Sequence, residues 1–205
     1  MNSFPAAEHS RAAATESTLA RFQAFAFRHR NLLAALPVVV SFVAIRRPVG
    51  LEALVAGAAL ALLGGALRAW CTLYNRFAQG ERKTLATDGP YGWLRNPLYV
   101  GNTLVLSGCA LAAGPLWLLP LTCVWALGVY DQVAHHEERR LLAKYGEAYR
   151  GYARNVRRWI PHLSVDAFSH RRSGFMRALL VQSRSLLALL PFALKAWALG
   201  AWPLV

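Results

Sequence analysis

Two polar blocks carry the side chains that could do chemistry, and the first spans residues 88–102. It opens with the turn-forming run Asp88-Gly89-Pro90 and reaches Asn96-Pro97 just before a long apolar stretch. Asn is a favoured N-cap, and Pro at the first helical position loses no hydrogen bond, so a helix is predicted to begin at Pro97. Its free N–H groups and its dipole suit an anionic group such as a carboxylate or phosphate. An interfacial loop before a well-capped membrane helix fits the same pattern.

The second block spans residues 131–174, and its polar side chains begin with Asp131 and His135-His136-Glu137-Glu138. Leucines and tyrosines recur at helical spacing after it, which predicts a helix with a break at Gly146 and a short helix beyond. The order of these His and Glu residues is not the HExxH spacing of zinc hydrolases, and a solvated, salt-bridged helix end explains such a run. No bound metal is therefore expected, and no catalytic triad, P-loop or dinucleotide-binding motif is present.

Composition indicates what surrounds these blocks. The chain has 205 residues, is 56% hydrophobic and carries a net charge of +13. Apolar segments separated by basic loops are typical of a polytopic membrane protein whose loops meet anionic headgroups. A nucleic-acid partner is not expected, because much of the arginine flanks segments too apolar to leave in water. The cysteines lie in or beside apolar segments and form no CxxC pair, which indicates small buried hydrophobes.

The predicted fold is all-α, a polytopic membrane protein with about five transmembrane helices. The five apolar segments are Asn31–Ile45, Leu51 to about Trp70, Leu98–Ala113, Leu116–Tyr130 and Phe175–Leu199. Small residues in the second segment, Gly57, Gly64 and Gly65, favour close helix packing. The expected organisation is an N-terminal arm and interfacial helix (1–30), a core (31–163), and a linker with an additional transmembrane helix (164–205). Residues 19–30 could equally extend the first membrane helix.

Basic residues predict the orientation of the chain. The loops 76–97 and 131–174 are the most basic, and two spans separate them, so both lie on one membrane face. The positive-inside rule makes that face cytoplasmic, with the N-terminus inside and the C-terminus outside. The expected location is a bacterial inner membrane, with both polar blocks facing the cytoplasm.

Taken together and in order, the two blocks resemble a known family. Arg95-Asn96-Pro97-Leu98-Tyr99-Val100-Gly101, a hydrophobic hairpin, the paired Glu137-Glu138, Tyr145-Gly146-Glu147 and Trp159-Ile160-Pro161 follow one another. This set resembles the membrane-embedded methyltransferases related to isoprenylcysteine carboxyl methyltransferase and the phospholipid N-methyltransferases, over roughly residues 50–163. The resemblance implies a pocket for S-adenosyl-L-methionine on the cytosolic side, closed by the C-terminal cytosolic helices.

The resemblance also implies roles for individual residues. The implied cofactor-binding residues are Arg95, Asn96, Pro97, Tyr99, Gly101, Glu137 and Glu138. The implied catalytic or substrate-orienting residues are Glu138 and one of three arginines, Arg154, Arg157 or Arg158. Two departures bear on these roles: Asn96 stands where the family usually has His, and the end of the motif differs from the family's Arg-Val-Pro-Arg.

The methyl acceptor stays open at this point. Transfer to an isoprenoid or lipid carboxylate is slightly favoured by the arginine-rich end, and transfer to a lipid amine is the alternative. A different class of function, a non-catalytic module that binds anionic lipid or a partner subunit, needs only surface arginines. An enzyme instead needs Asn96, Tyr99, Glu137 and Glu138 to line one cavity. The acceptor is expected to be a lipophilic small molecule or lipid; the sequence does not predict an oligomeric state.

Overall fold

The fold was analysed in a computed structural model that describes residues 17–44, 49–80, 84–161 and 190–198. These residues are all-helical with no strand, which confirms the predicted fold class. The helices are α1 (17–28), α2 (Arg30–Ala44), α3 (Leu51–Gly80), α4 (Pro90–Trp93), α5 (Pro97–Ala112), α6 (Leu118–Tyr145), α7 (Glu147–Asn155) and α8 (Leu190–Ala198). The predicted N-terminal arm up to residue 16, and residues 164–189 of the predicted linker and fifth span, lie outside the described residues.

Helix α1 runs almost directly into α2. The His29 N–H donates to the Phe25 carbonyl and the Leu33 N–H donates to the His29 carbonyl, both at 2.9 Å, as in a continuous helix. Of the two interpretations of residues 19–30, this pattern favours an extension of the first apolar helix. Along this helix Phe22 and Phe25 are exposed, whereas Ala26 is buried.

The central contact of the fold is the antiparallel packing of α3 on α5. A side-chain carbon added at Gly57 would lie 2.6 Å from the Gly108 carbonyl oxygen, and one added at Gly64 would lie 2.6 Å from the Gly101 carbonyl oxygen. Backbones this close leave no room for a side chain, as in small-residue contacts between membrane helices. The prediction of close packing is confirmed for Gly57 and Gly64. At Gly65 it is not, since an added carbon there would meet no atom within 4 Å.

Within the described part of the chain, one helix is long and apolar enough to cross a membrane, at Leu51–Asn75 of α3. Helices α2 and α5 are apolar but shorter. Only Leu190–Ala198 of the predicted fifth span is described. The count of five spans and the cytosolic position of the pocket therefore stay predictions.

Helices α5 and α6 form a hairpin around Gly114, whose φ of 96° few residues other than glycine adopt. Helix α6 is 28 residues long and continues well past the apolar segment, so the predicted fourth span and the His/Glu run belong to one helix. Helix α6 is ended by Gly146, where φ is 54°, and α7 begins at the next residue. The predicted break is confirmed, and α6 carries the second polar block to the start of α5.

Candidate active site

The loop before α5 is held against α7 and the segment that follows it. The Tyr152 hydroxyl donates to the Tyr91 carbonyl at 2.7 Å, and the Arg95 N–H donates to the Arg157 carbonyl at 2.9 Å. Gly89, with φ of 59°, packs against the Tyr74 ring so closely that any side chain there would overlap it. These contacts fix the entry of the chain into α5 and place both polar blocks side by side.

Two further hydrogen bonds, each between side chains of the two blocks, join the start of α5 to α6. The Tyr99 hydroxyl donates to Oε2 of Glu137 at 2.8 Å, and Nδ2 of Asn96 donates to Oε1 of Glu138 at 3.1 Å. Asn96 occupies the N-cap position of α5 with Pro97 after it, as predicted, but its side chain makes no capping hydrogen bond. The expected capping role of the Asn96 side chain is therefore wrong, because the amide bonds across to α6 instead. The start of α5 is left without a side-chain cap.

Glu138 is also held by Arg158 in a two-point ion pair. Nε and one terminal nitrogen of Arg158 donate to the two Glu138 oxygens, each at 2.9 Å. The Glu138 side chain is 12% exposed and that of Arg158 is 22% exposed, so the pair is largely shielded from water. Bonding to the carboxylate raises the pKa of Arg158 further above its usual range. Charge-assisted, bidentate bonds of this kind fix orientation as well as adding stability.

Asp131 is the second carboxylate of α6 that contacts Arg158. One Asp131 oxygen accepts from Arg158 at 3.3 Å and from the Trp159 indole at 3.1 Å. The second Asp131 oxygen lies 3.2 Å from Nδ1 of His135. Arg158 thus bonds to two carboxylates of α6, and these bonds hold the segment after α7 against that helix.

The joined blocks enclose a cleft of about 730 Å³, counting its open mouth. It is lined by Asn75, Thr84, Leu85, Ala86, Tyr91, Arg95, Asn96, Leu98, Tyr99, Glu137, Glu138, Leu141, Tyr145, Tyr149 and Tyr152. Burial raises the pKa of Tyr149 to about 12 and also raises the pKa of Tyr91 and of Tyr152. Tyr91, Tyr149 and Tyr152 therefore stay neutral at physiological pH, and their hydroxyl groups can donate hydrogen bonds.

Arg95 is the cation on the α5 side of the cleft. Its Nε is buried without a hydrogen-bond partner and lies 3.6 Å from Oε1 of Glu138, too far for a hydrogen bond. A buried donor without a partner is destabilising unless a ligand or ordered water satisfies it. Arg95 is thus a group that a bound anion would complete.

The structure brings together some of the sequence-predicted site residues and separates others. Arg95, Asn96, Tyr99, Glu137 and Glu138 line the cleft. The other two predicted cofactor residues are buried outside its lining, and Gly101 packs against α3 beside the Arg68 side chain. Among the three candidate arginines, Arg158 joins the Glu138 network, whereas Arg154 and Arg157 are exposed. The roles assigned to all of them stay predictions.

Sequence reasoning missed two features of the site. The Tyr91, Tyr145 and Tyr152 side chains in the cleft wall were not predicted there, although tyrosine recurring every few residues along 145–152 is a usable signal. Arg68 was also missed. It is an ionisable residue near the C-terminal end of the second apolar segment, and ionisable residues in a membrane helix are usually functional.

No group of three or more His, Cys, Asp or Glu side chains is arranged to hold a metal ion in the ranges that the structure describes. The paired histidines illustrate why. His135 is engaged with Asp131, while His136 lies beside the Phe27 ring with centroids 4.9 Å apart.

Residues 45–148 match the phospholipid methyltransferase family, which is half of the chain and includes the cleft residues from Asn75 to Tyr145. The chain belongs to this family. The match confirms the resemblance found in the sequence. No solved structure matches the chain significantly.

Two curated relatives are similar to the chain over about the same length. The cobalt-zinc-cadmium resistance protein CzcN of Cupriavidus metallidurans is 36% identical over 112 residues, covering 53% of this chain and 48% of that protein. The nickel-cobalt-cadmium resistance protein NccN of Alcaligenes xylosoxydans xylosoxydans is 31% identical over 110 residues, with the same two shares. The chain thus spans about half the length of the curated relatives that it matches.

Proposed function

We propose that this protein is an integral-membrane methyltransferase that uses S-adenosyl-L-methionine and methylates a lipophilic acceptor. The observation that carries the proposal is that Asn96, Tyr99, Glu137 and Glu138 line one cleft although some forty residues separate the two pairs. A scaffold that only binds lipid through surface arginines has no need of this convergence. Membership of the phospholipid methyltransferase family supports the same conclusion.

The groups in the cleft fit the methionyl end of the cofactor. The unpartnered Nε of Arg95 and the uncapped start of α5 suit a carboxylate. Tyr99 occupies one Glu137 oxygen, and the other oxygen suits the cofactor's ammonium group or a ribose hydroxyl. Neutral tyrosine rings attract a sulfonium through their π-faces.

The cofactor supplies an electrophilic methyl group on sulfur, and the protein's contribution is positioning and electrostatics. In-line transfer requires the acceptor atom to be held close to the methyl carbon and opposite the sulfur, which rigid side chains achieve. The pair of Glu138 and Arg158 keeps the cleft wall fixed while contributing little net charge. The cleft can therefore accommodate a cationic cofactor beside an anionic acceptor, whose charges cancel as the methyl group moves.

The acceptor we favour is an isoprenoid or lipid carboxylate, which would be O-methylated, and a lipid amine is the alternative. The placement is a bacterial inner membrane with the cleft facing the cytoplasm, as the basic loops indicate. The relatives are named for resistance to divalent metals. We propose that the methylated product is a membrane lipid or lipophilic metabolite, and not the metal itself.

The test is methyl transfer by the full chain in lipid nanodiscs, supplied with methyl-labelled S-adenosyl-L-methionine and a bacterial lipid extract. Label should enter the organic phase, and alkaline hydrolysis should release it as methanol if the product is an ester. Glu137→Gln should lower the transfer by at least about tenfold, since a carboxylate facing the cofactor is lost. Glu147→Gln, an exposed glutamate of α7, should leave transfer unchanged. No label above background, from protein that remains folded, would refute the proposal.

A further inference from the structure

Arg68 lies inside the membrane-crossing segment Leu51–Asn75, seven residues before its end. At a rise of about 1.5 Å per residue this places its Cα roughly 10 Å inside the segment. An arginine at such a depth is costly in lipid, and in membrane proteins it usually faces the protein interior and marks a substrate or ion path.

The charge of Arg68 is not neutralised by the protein. Its Nε is buried without a hydrogen-bond partner, and no carboxylate of the described residues lies within ion-pair distance of its guanidinium. The ionisable groups close enough to influence it are Tyr130 and Cys71, and the Tyr130 side chain is already hydrogen-bonded to Asn102. A permanent cation is therefore present among neutral neighbours.

Space for a ligand exists on the same helix. Gly65 is buried, yet a side-chain carbon placed on it would meet no atom within 4 Å. Gly65 precedes Arg68 by three residues, so the two lie about one turn apart on neighbouring parts of the helix surface. Arg68 itself is only partly buried, although its Nε is buried, so part of the residue is open to a ligand.

Arg68 also lies directly on the membrane side of the cleft. Its Cγ is 2.8 Å from the position that a Gly101 side-chain carbon would take, and Gly101 follows the cleft residue Tyr99 by two positions in α5. The Tyr130 ring, which neighbours Arg68, stacks on Tyr99 with centroids 5.0 Å apart. A lipid that enters from the bilayer toward the Tyr99–Glu137 pair would pass this cation first.

We propose that Arg68 binds the anionic group, a carboxylate or a phosphate, of an amphiphile that enters the protein from the bilayer. We further propose that this amphiphile is the methyl acceptor. That identification rests on the proposed function, whereas the binding of an anionic group by Arg68 does not. Arg68 is then a binding residue that selects acidic amphiphiles and sets how deep their head groups lie. A purely structural role does not fit, because Nε has no hydrogen-bond partner and no ion pair among the described residues fixes the guanidinium.

The experiment measures retention of hexadecanoate, hexadecyl phosphate and hexadecanol by the full chain, using native mass spectrometry of protein released from micelles. The wild-type protein should retain both acids and not the alcohol. Arg68→Gln should retain at least about tenfold less of either acid, and Arg68→Lys should keep part of the binding because it keeps the charge. Arg150→Gln, which removes a charge from exposed α7, is the matched control and should bind as the wild type does.

Three results would overturn the proposal: equal retention of the acids by Arg68→Gln, equal retention of the alcohol by the wild type, or full displacement of the acids by inorganic phosphate. The last result would mean that a free anion suffices. A melting temperature of Arg68→Gln well below that of the wild type would also count against it, since removing an unpaired buried charge should not destabilise the fold. Calorimetry with S-adenosylhomocysteine separates the two proposals, because Arg68-dependent retention in a protein that does not bind this compound refutes only the methyltransferase.

Discussion

Glu138 is the side chain at which the two polar blocks meet. Its oxygens accept from Arg158 at two points and from Asn96, and Arg95 is close by. This arrangement changes the interpretation of the paired glutamates, since the resemblance implies that both bind the cofactor and that Glu138 is also catalytic. Glu137 keeps an oxygen available to a ligand, whereas Glu138 is committed to holding the cleft wall, so its effect on catalysis would be exerted through position.

The Glu138–Arg158 pair should couple strongly in stability measurements. A double-mutant cycle of Glu138→Gln and Arg158→Gln should give an interaction of about 1.5–3 kcal/mol, as expected for a shielded, charge-assisted bidentate bond. The exposed pair Glu147–Arg150, whose side chains are 75% and 56% exposed, should give less than about 0.5 kcal/mol in the parallel cycle. Reversible unfolding in detergent provides both values. Equal coupling in the two cycles would mean that Arg158 does not hold the cleft.

The sequence predicts which side chains form the site better than it predicts the hydrogen-bond partners of those side chains. The run around Asn96-Pro97 and the paired glutamates were found because their types and order are distinctive. The amide of Asn96 was expected to cap α5, because local sequence favours that bond and cannot reveal a carboxylate some forty residues away. The choice among Arg154, Arg157 and Arg158 was open for the same reason, since exposure depends on how the segment after α7 packs.

At the scale of the elements, the α3–α5 contact positions the site. Gly57 faces Gly108 and Gly64 faces Gly101, so the backbones touch along two turns or more. Because α5 begins with the cleft residues and α3 carries Arg68, this contact sets the position of the cleft relative to Leu51–Asn75, which is long and apolar enough to cross a membrane. Small side chains on both helices are what make the contact possible.

Gly57→Ala should destabilise the protein by about 1–3 kcal/mol, because the new methyl group would overlap the backbone of α5 at Gly108. Gly128→Ala in the exposed part of α6 is the control, and it should be neutral or add up to about 1 kcal/mol, since nothing lies within 4 Å of the added carbon. Thermal unfolding of the two variants in the same detergent measures both effects. A Gly57→Ala variant as stable as the wild type would contradict the tight α3–α5 contact.

The sequence predicts the limits of the helices well where a proline or a glycine marks them. Pro97, Gly114 and Gly146 each lie where a helix begins or ends, as expected. The continuation of α6 to Tyr145 was also foreseen, because apolar periodicity persists after the polar run. The sequence did not predict that Gly65, unlike Gly64, lies away from α5. Neighbouring glycines differ only in the residue that tertiary packing places against each of them.

At the scale of the whole molecule, a hydrophobic helical body carries one polar cleft, in a chain of net charge +13. The family match spans residues 45–148 and therefore covers the α3–α5 contact and the paired glutamates, while Arg158 lies beyond it. The charge of the loops explains attraction to an anionic membrane surface. It does not by itself distinguish an enzyme from a lipid-binding module, and the convergence of polar side chains in the cleft is what favours an enzyme.

The central claim is that this cleft binds the cofactor, and titration calorimetry of the full chain with S-adenosylhomocysteine tests it most directly. The account predicts binding in the micromolar range. Tyr99→Phe combined with Glu137→Gln should weaken it by at least about tenfold, which is about 1.4 kcal/mol, and Gly128→Ala should leave it unchanged. Well-folded protein that gives no binding heat, or a double variant that binds as tightly as the wild type, would contradict the account.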